Sequence, residues 1–121
     1  MGKLILIIDD EPDILTIIKY RLEKAGYHII TAGDGEEGFD AVKKNKPDLV
    51  LLDMRIPKMI GVEVCKKIKS DTELKNIPVV FITASQRTHV AQITEKFGAQ
   101  DFIIKPFEPE ELLSKIRRLI G

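Results

Sequence analysis

The residues of this chain that could do chemistry fall into four short groups. Asp9, Asp10 and Glu11 follow the apolar run 4–8, Asp53 follows the run 49–52, Thr83 and Ala84 follow 79–82, and Lys105 and Pro106 follow 102–104. If those run ends meet, three aspartates share one place. Carboxylates about 5 Å apart repel by ~3 kcal/mol per pair even at an effective dielectric of ~20, so such a cluster needs a cation or a raised carboxyl pKa. The candidate ligands are all oxygens and few are protein groups. That suits Mg2+, completing its octahedron with waters and a substrate oxygen, better than Zn2+ or a calcium cage. Lys105 brings a second positive charge from the opposite side. A divalent cation, an ammonium and a hydroxyl around one carboxylate make a cradle for a phosphoryl group, with Asp53 as nucleophile and Thr83 donating to a phosphoryl oxygen.

Whether the groups meet depends on the elements that carry them. Apolar runs at 4–8, 28–32, 49–52, 79–82 and 102–104 recur along the chain, and four of the five are continuously apolar. Runs of strand length that lack alternation belong in a parallel sheet covered on both faces. The cover lies between them, where apolar residues recur at helical spacing: Leu15, Ile18, Leu22 and Ala25; Val64, Cys65 and Ile68; Leu112, Ile116 and Leu119; and, more weakly, Gly38 with Val42 and Val90 with Ile93 and Phe97. Gly26 and Gly98 stand where C-terminal caps belong, and 71–78 reads as a loop. Five βα units with right-handed crossovers predict an α/β, (βα)5 doubly wound five-stranded parallel sheet of flavodoxin-like order 2-1-3-4-5. That order places the first and third strands ~4.8 Å apart and binds ligands at the carboxyl ends of the strands. Asp53 then lies beside Asp9 and Asp10, provided the chain turns there, as Pro12 suggests.

Composition narrows the function. A chain of 121 residues fits one domain, 1–121, and excludes an enzyme with separate cofactor and substrate domains. Lys plus Arg and Asp plus Glu are 19 each, for a net charge of zero, so neither nucleic acid nor a membrane surface is an expected partner. Cys65 is the single cysteine; with His28 and His89 it leaves too few soft ligands for structural zinc, and it reads as a small core residue. No apolar run nears the ~20 residues that span a bilayer, and residues 1–30 carry no signal-peptide pattern, so the expected location is cytoplasmic. Lys115, Arg117 and Arg118 read as a solvated helix end, Asp10 or Asp13 as a possible cap of the first helix, and Gly33-Asp34-Gly35 as a turn.

Four motifs, Ile7-Ile8-Asp9-Asp10-Glu11-Pro12, 49–57 with Asp53-Met54-Arg55-Ile56-Pro57 at its end, Ile82-Thr83-Ala84, and Phe102-Ile103-Ile104-Lys105-Pro106-Phe107, occur in order. In combination they resemble the receiver domain of two-component response regulators over the whole chain, in its single-domain, chemotaxis-regulator-like form. The resemblance implies that Asp53 accepts the phosphoryl group from a phosphohistidine on a histidine kinase or histidine phosphotransfer protein. It implies that Mg2+ is held by Asp9, Asp10, Asp53 and the backbone carbonyl of Arg55, that Thr83 and Lys105 bind the phosphoryl oxygens, and that the Lys105–Pro106 bond is cis. The signal would leave through the fourth helix, fifth strand and fifth helix, with Thr83 and Phe102 as the switch pair, towards a downstream protein target.

Two departures stand out: Ile60 precedes Gly61 where relatives often carry an acid, and Phe102 stands where many carry a tyrosine. Arg55 and Ser85, each two residues past a site residue, are expected to flank the path of the hydrolytic water and set the lifetime of the phosphoryl group. Such a domain would catalyse its own phosphorylation and dephosphorylation without turning over a separate small molecule. A pseudo-receiver, binding partners without phosphorylation, is the competing reading. An aspartate-nucleophile phosphatase would want Asp-x-Asp where Asp9 is followed by Asp10 and Glu11, and a flavin module would want a phosphate loop where 9–13 is acidic.

Overall fold

The computed structural model describes residues 2–56, 59–84 and 86–121. Strands and helices alternate: β1 (Leu4–Ile8), α1 (Pro12–Lys24), β2 (His28–Ala32), α2 (Gly35–Asn45), β3 (Leu49–Asp53), α3 (Gly61–Ser70), β4 (Val79–Thr83), α4 (Arg87–Phe97), β5 (Asp101–Ile104) and α5 (Pro109–Ile120). The strands form one parallel sheet in the order β2-β1-β3-β4-β5, the flavodoxin-like order expected.

Alternation of side chains across the pleat divides the core into two layers. Leu6, Ile8, Val50, Leu52, Val79 and Phe81 face α2, α3 and α4, where Val42, Val64, Cys65, Ile68 and Val90 meet them. Ile5, Ile7, Leu49, Leu51, Val80 and Ile82 face α1 and α5, where Ile18, Leu22, Leu112, Leu113 and Ile116 meet them. Each such side chain contributes ~1.5–3 kcal/mol of burial free energy. β3 and β4 are buried throughout, whereas the edge strand β2 exposes His28 and Thr31.

Helix ends follow local chemistry. Pro12 opens α1 behind Glu11, and no side chain caps that helix, so neither Asp10 nor Asp13 is its cap. The turn expected at Gly33-Asp34-Gly35 is also a helix start: Asp34 caps α2 by accepting from the Glu37 N–H at 2.7 Å. Gly98 ends α4 at φ +77°, and Gly26 follows α1 at φ +101°, a region open to glycine at little expense. The segment 71–78 is a series of turns, as expected. Among the described residues no helix is long and apolar enough to cross a membrane.

Candidate functional site

Register brings the four groups together at the carboxyl edge. Ile8 pairs with Leu52, so Asp9 comes next to Asp53; Asp53 pairs with Ile82, one residue before Thr83; Thr83 pairs with Ile104, one residue before Lys105. The Lys105 N–H closes that end by donating to the Thr83 carbonyl at 2.7 Å. Asp9, Asp53 and Thr83 are all buried.

The two buried aspartates share one local device. The Glu11 N–H donates to Asp9 Oδ1 at 2.9 Å, and the Arg55 N–H donates to Asp53 Oδ1 at 2.8 Å. An aspartate that binds the backbone two residues ahead turns the chain back over its own carboxylate. This supplies the turn that convergence at 9–10 requires, one step before Pro12. In both residues Oδ1 is thereby fixed and Oδ2 points to a common partner: Lys105 Nζ lies 3.1 Å from Asp9 Oδ2 and 3.1 Å from Asp53 Oδ2. The same ammonium donates to Glu11 Oε1 at 2.9 Å. Residues 96 and 52 positions apart in the chain are joined by this one group.

Electrostatics follow from burial and crowding. Desolvation pushes the Asp53 pKa above the ordinary carboxylate value and the charge of Asp9 adds to it, while the Arg55 N–H and Lys105 pull the other way without cancelling it. For Lys105, burial alone would favour the neutral amine. Its hydrogen bonds to Glu11 and Asp9, and the charge and hydrogen bond of Asp53, outweigh that, so the ammonium is held above the usual lysine range. Asp9, Asp10 and Asp53 each offer a carboxylate oxygen within 4.8 Å of the others. That donor set, three hard anionic oxygens with Asp10 open to solvent, fits a divalent cation of the oxygen-seeking kind.

The remaining expectations are spread more widely. The Arg55 side chain is exposed next to Asp53, and Ser85 and Pro57 lie outside the described residues. Phe102 pairs with Phe81, two residues back from the edge, half-buried against the α4 side of the core. The Arg87 guanidinium sits 5.6 Å from its ring centre and Lys115 Nζ 6.0 Å away. Ile60, 59% exposed, precedes α3 and points largely to water. Cys65 is fully buried, and burial lifts its thiol to about 11, in keeping with a core role. The Lys105–Pro106 bond is cis.

Two features escaped the sequence reading. Glu11 makes the shortest of the Lys105 contacts, and its only signal was its place beside Asp9 and Asp10. Beside the site, α1 and the stretch from Lys105 to Leu112 that leads into α5 enclose a groove of about 440 Å3, lined by Ile14, Ile17, Ile18, Phe107 and Leu112, with Glu11 and Lys105 among its walls; its two sides lie about 90 residues apart in sequence.

Residues 5–117 match the family described as response regulator receiver domain. The chain is 38% identical over 120 residues to the alkaline phosphatase synthesis transcriptional regulatory protein PhoP of Bacillus subtilis, covering 99% of this chain and 49% of that protein. It is 35% identical over 117 residues to the DNA-binding response regulator MtrA of Mycolicibacterium smegmatis, covering 97% and 50%. The chain thus spans about half the length of these curated relatives. Among solved structures, chemotaxis response regulator CheY4 of Vibrio cholerae superposes with a TM-score of 0.92 at 29% identity, covering 98% of this chain and 99% of that one. The receiver domain of sensor histidine kinase PA1611 from Pseudomonas aeruginosa, described with magnesium coordinated in its active-site cleft, superposes with a TM-score of 0.91 at 26% identity, covering 100% and 99%. With the order of its strands, the convergence at their carboxyl edge and these matches in agreement, this chain belongs to the response regulator receiver domains.

Proposed function

We propose that this chain, acting as a single receiver unit over 1–121, is a phosphoacceptor switch that takes a phosphoryl group from a phosphohistidine onto Asp53. The observation that carries the reading is the Asp53 carboxylate itself: buried, one oxygen fixed by the Arg55 N–H, the other on Lys105, and its charge crowded by Asp9 and Asp10. An ionised carboxylate needs no base to deprotonate it. Its oxygen attacks phosphorus, the P–N bond to imidazole breaks, and the leaving nitrogen keeps the electron pair. Lys105, already at 3.1 Å, is placed to donate to a phosphoryl oxygen, and Thr83 at the end of β4 would supply a second donor. Asp9, Asp10, Asp53 and the Arg55 carbonyl would hold Mg2+, which supplies charge neutralisation for the transferring group. Hydrolysis reverses the bond: water attacks phosphorus and Asp53 leaves as carboxylate.

Receiver domains interact with histidine kinases or phosphotransfer proteins. A protein donor must cover the mouth of the site, and the groove between α1 and α5 is the adjoining apolar surface. Output through α4, β5 and α5 is supported by Phe102 lying there between Arg87 and Lys115, with Asp101 tying Lys115 and Arg118 at 3.1 and 2.8 Å. The exposed Arg55 would slow water's approach, so Arg55→Ala should lose its phosphoryl group faster. The test of the reading is intact mass after incubation with Mg2+ and acetyl phosphate. One phosphoryl group should be added to the parent and none to Asp53→Asn. An unlabelled parent that still binds partners would instead be a pseudo-receiver.

A further inference from the structure

We propose that Glu11 is a positioning residue for Lys105, a latch that occupies one of its three donors at rest and yields it to the incoming phosphoryl oxygen. The inference rests on the phosphoacceptor reading above and adds a residue to it. An ammonium has three N–H donors, and here each is taken, by Glu11 at 2.9 Å, Asp9 at 3.1 Å and Asp53 at 3.1 Å. A phosphoryl oxygen can be met by Lys105 only if one of these bonds opens. The donor must be free before the new P–O bond has formed, which leaves Asp9 and Glu11 as the partners able to release it.

Burial decides between them. Asp9 is fully buried, and its other oxygen is held by the Glu11 N–H, so water cannot take the place of Lys105 there and only a bound metal ion could. The Glu11 side chain is 58% exposed, and water can take over its oxygen with little loss. Glu11 therefore acts twice. Its backbone orients Asp9, and its side chain holds Lys105 while setting a negative charge on the rim that an anionic donor must pass.

The experiment is beryllofluoride binding in the presence of Mg2+, followed by backbone amide shifts, for the parent, Glu11→Gln and Glu11→Ala. Glu11→Gln keeps the backbone bond and a carbonyl for Lys105 without the charge; Glu11→Ala removes the side-chain bond. Half-saturation should fall about 2- to 5-fold in Glu11→Ala, the range an exposed ion pair supports, and less in Glu11→Gln. With acetyl phosphate the gain should appear at low donor concentration, with the rate at saturating donor little changed, a split that a purely structural role would not produce. Asp13→Asn removes a charge from the exposed first turn of α1 without touching Lys105 and should bind as the parent does. An equal gain in Asp13→Asn, unchanged binding in both Glu11 variants, or weaker binding in either would overturn the latch. If the parent itself binds no beryllofluoride, the phosphoacceptor reading falls and the latch with it.

Discussion

Lys105 and Lys69 each set an ammonium against three oxygens, at opposite edges of one sheet, and their acceptors differ. Lys105 meets three carboxylates. Lys69, in the last turn of α3, meets the Lys75 carbonyl at 3.1 Å, the Ile77 carbonyl at 2.7 Å and Gln100 Oε1 at 3.1 Å. Gln100 Oε1 also takes the Val79 N–H at 2.8 Å, so Lys69 staples the turns 71–78 to the start of β4. Burial draws the Lys69 pKa below the ordinary lysine range, because neutral dipoles replace water without adding opposite charge. At Lys105 the carboxylates reverse that sign. Carbonyls of the backbone have nowhere to go, so the bonds of Lys69 serve the fold. Carboxylates can exchange an ammonium for a metal ion or a phosphoryl neighbour, so the bonds of Lys105 can serve a reaction.

The strongest test of that contrast is to remove each ammonium in turn. Lys105→Met should weaken beryllofluoride binding and labelling by acetyl phosphate about 10- to 100-fold, the worth of one charge-assisted hydrogen bond, while the fold persists. Lys69→Met should do the opposite, leaving labelling at the parental rate and lowering stability in urea by ~1–3 kcal/mol through carbonyls left without a donor. Loss of labelling in the Lys69 variant at full stability would erase the distinction.

A smaller effect probes the crowding that Lys105 relieves. Because the folded Asp53 pKa lies above the unfolded value of 3.8, the fold favours the protonated carboxyl. That stability is present below pH 3.8 and is lost as pH rises through the folded value. Without Mg2+, Asp53→Asn should then melt a few degrees above the parent at pH 7, equivalent to ~1 kcal/mol, with the difference shrinking as pH falls towards 3.8. A variant that melts lower at pH 7 would mean that Lys105 more than compensates for the repulsion.

Much of this edge was legible in residue order. Asp9 and Asp53 stand directly after continuous apolar runs, the pattern of strands in a parallel sheet covered on both faces, and parallel strands put both aspartates at the same end. Cys65 announced its burial by its place in a helical stripe. The role of Asp34 was half-legible: a turn was expected, and whether the side chain also captures the Glu37 N–H depends on backbone angles that composition leaves open. What Ile60 meets was not legible at all, since apolar character alone does not say whether a loop residue faces the core or water; here it is exposed.

What the sequence determined by itself is the set of elements and the edge at which chemistry collects, because hydrophobic period and punctuation act locally. Only the tertiary structure decided which oxygens share Lys105, that Glu11 is one of them, that Phe102 lies two rows below the edge, and that Lys69 reaches Gln100. Those meetings join residues 31 to 96 positions apart. Their distances follow from strand order, register and the turn each aspartate makes over its own backbone, none of which is encoded in the spacing between them.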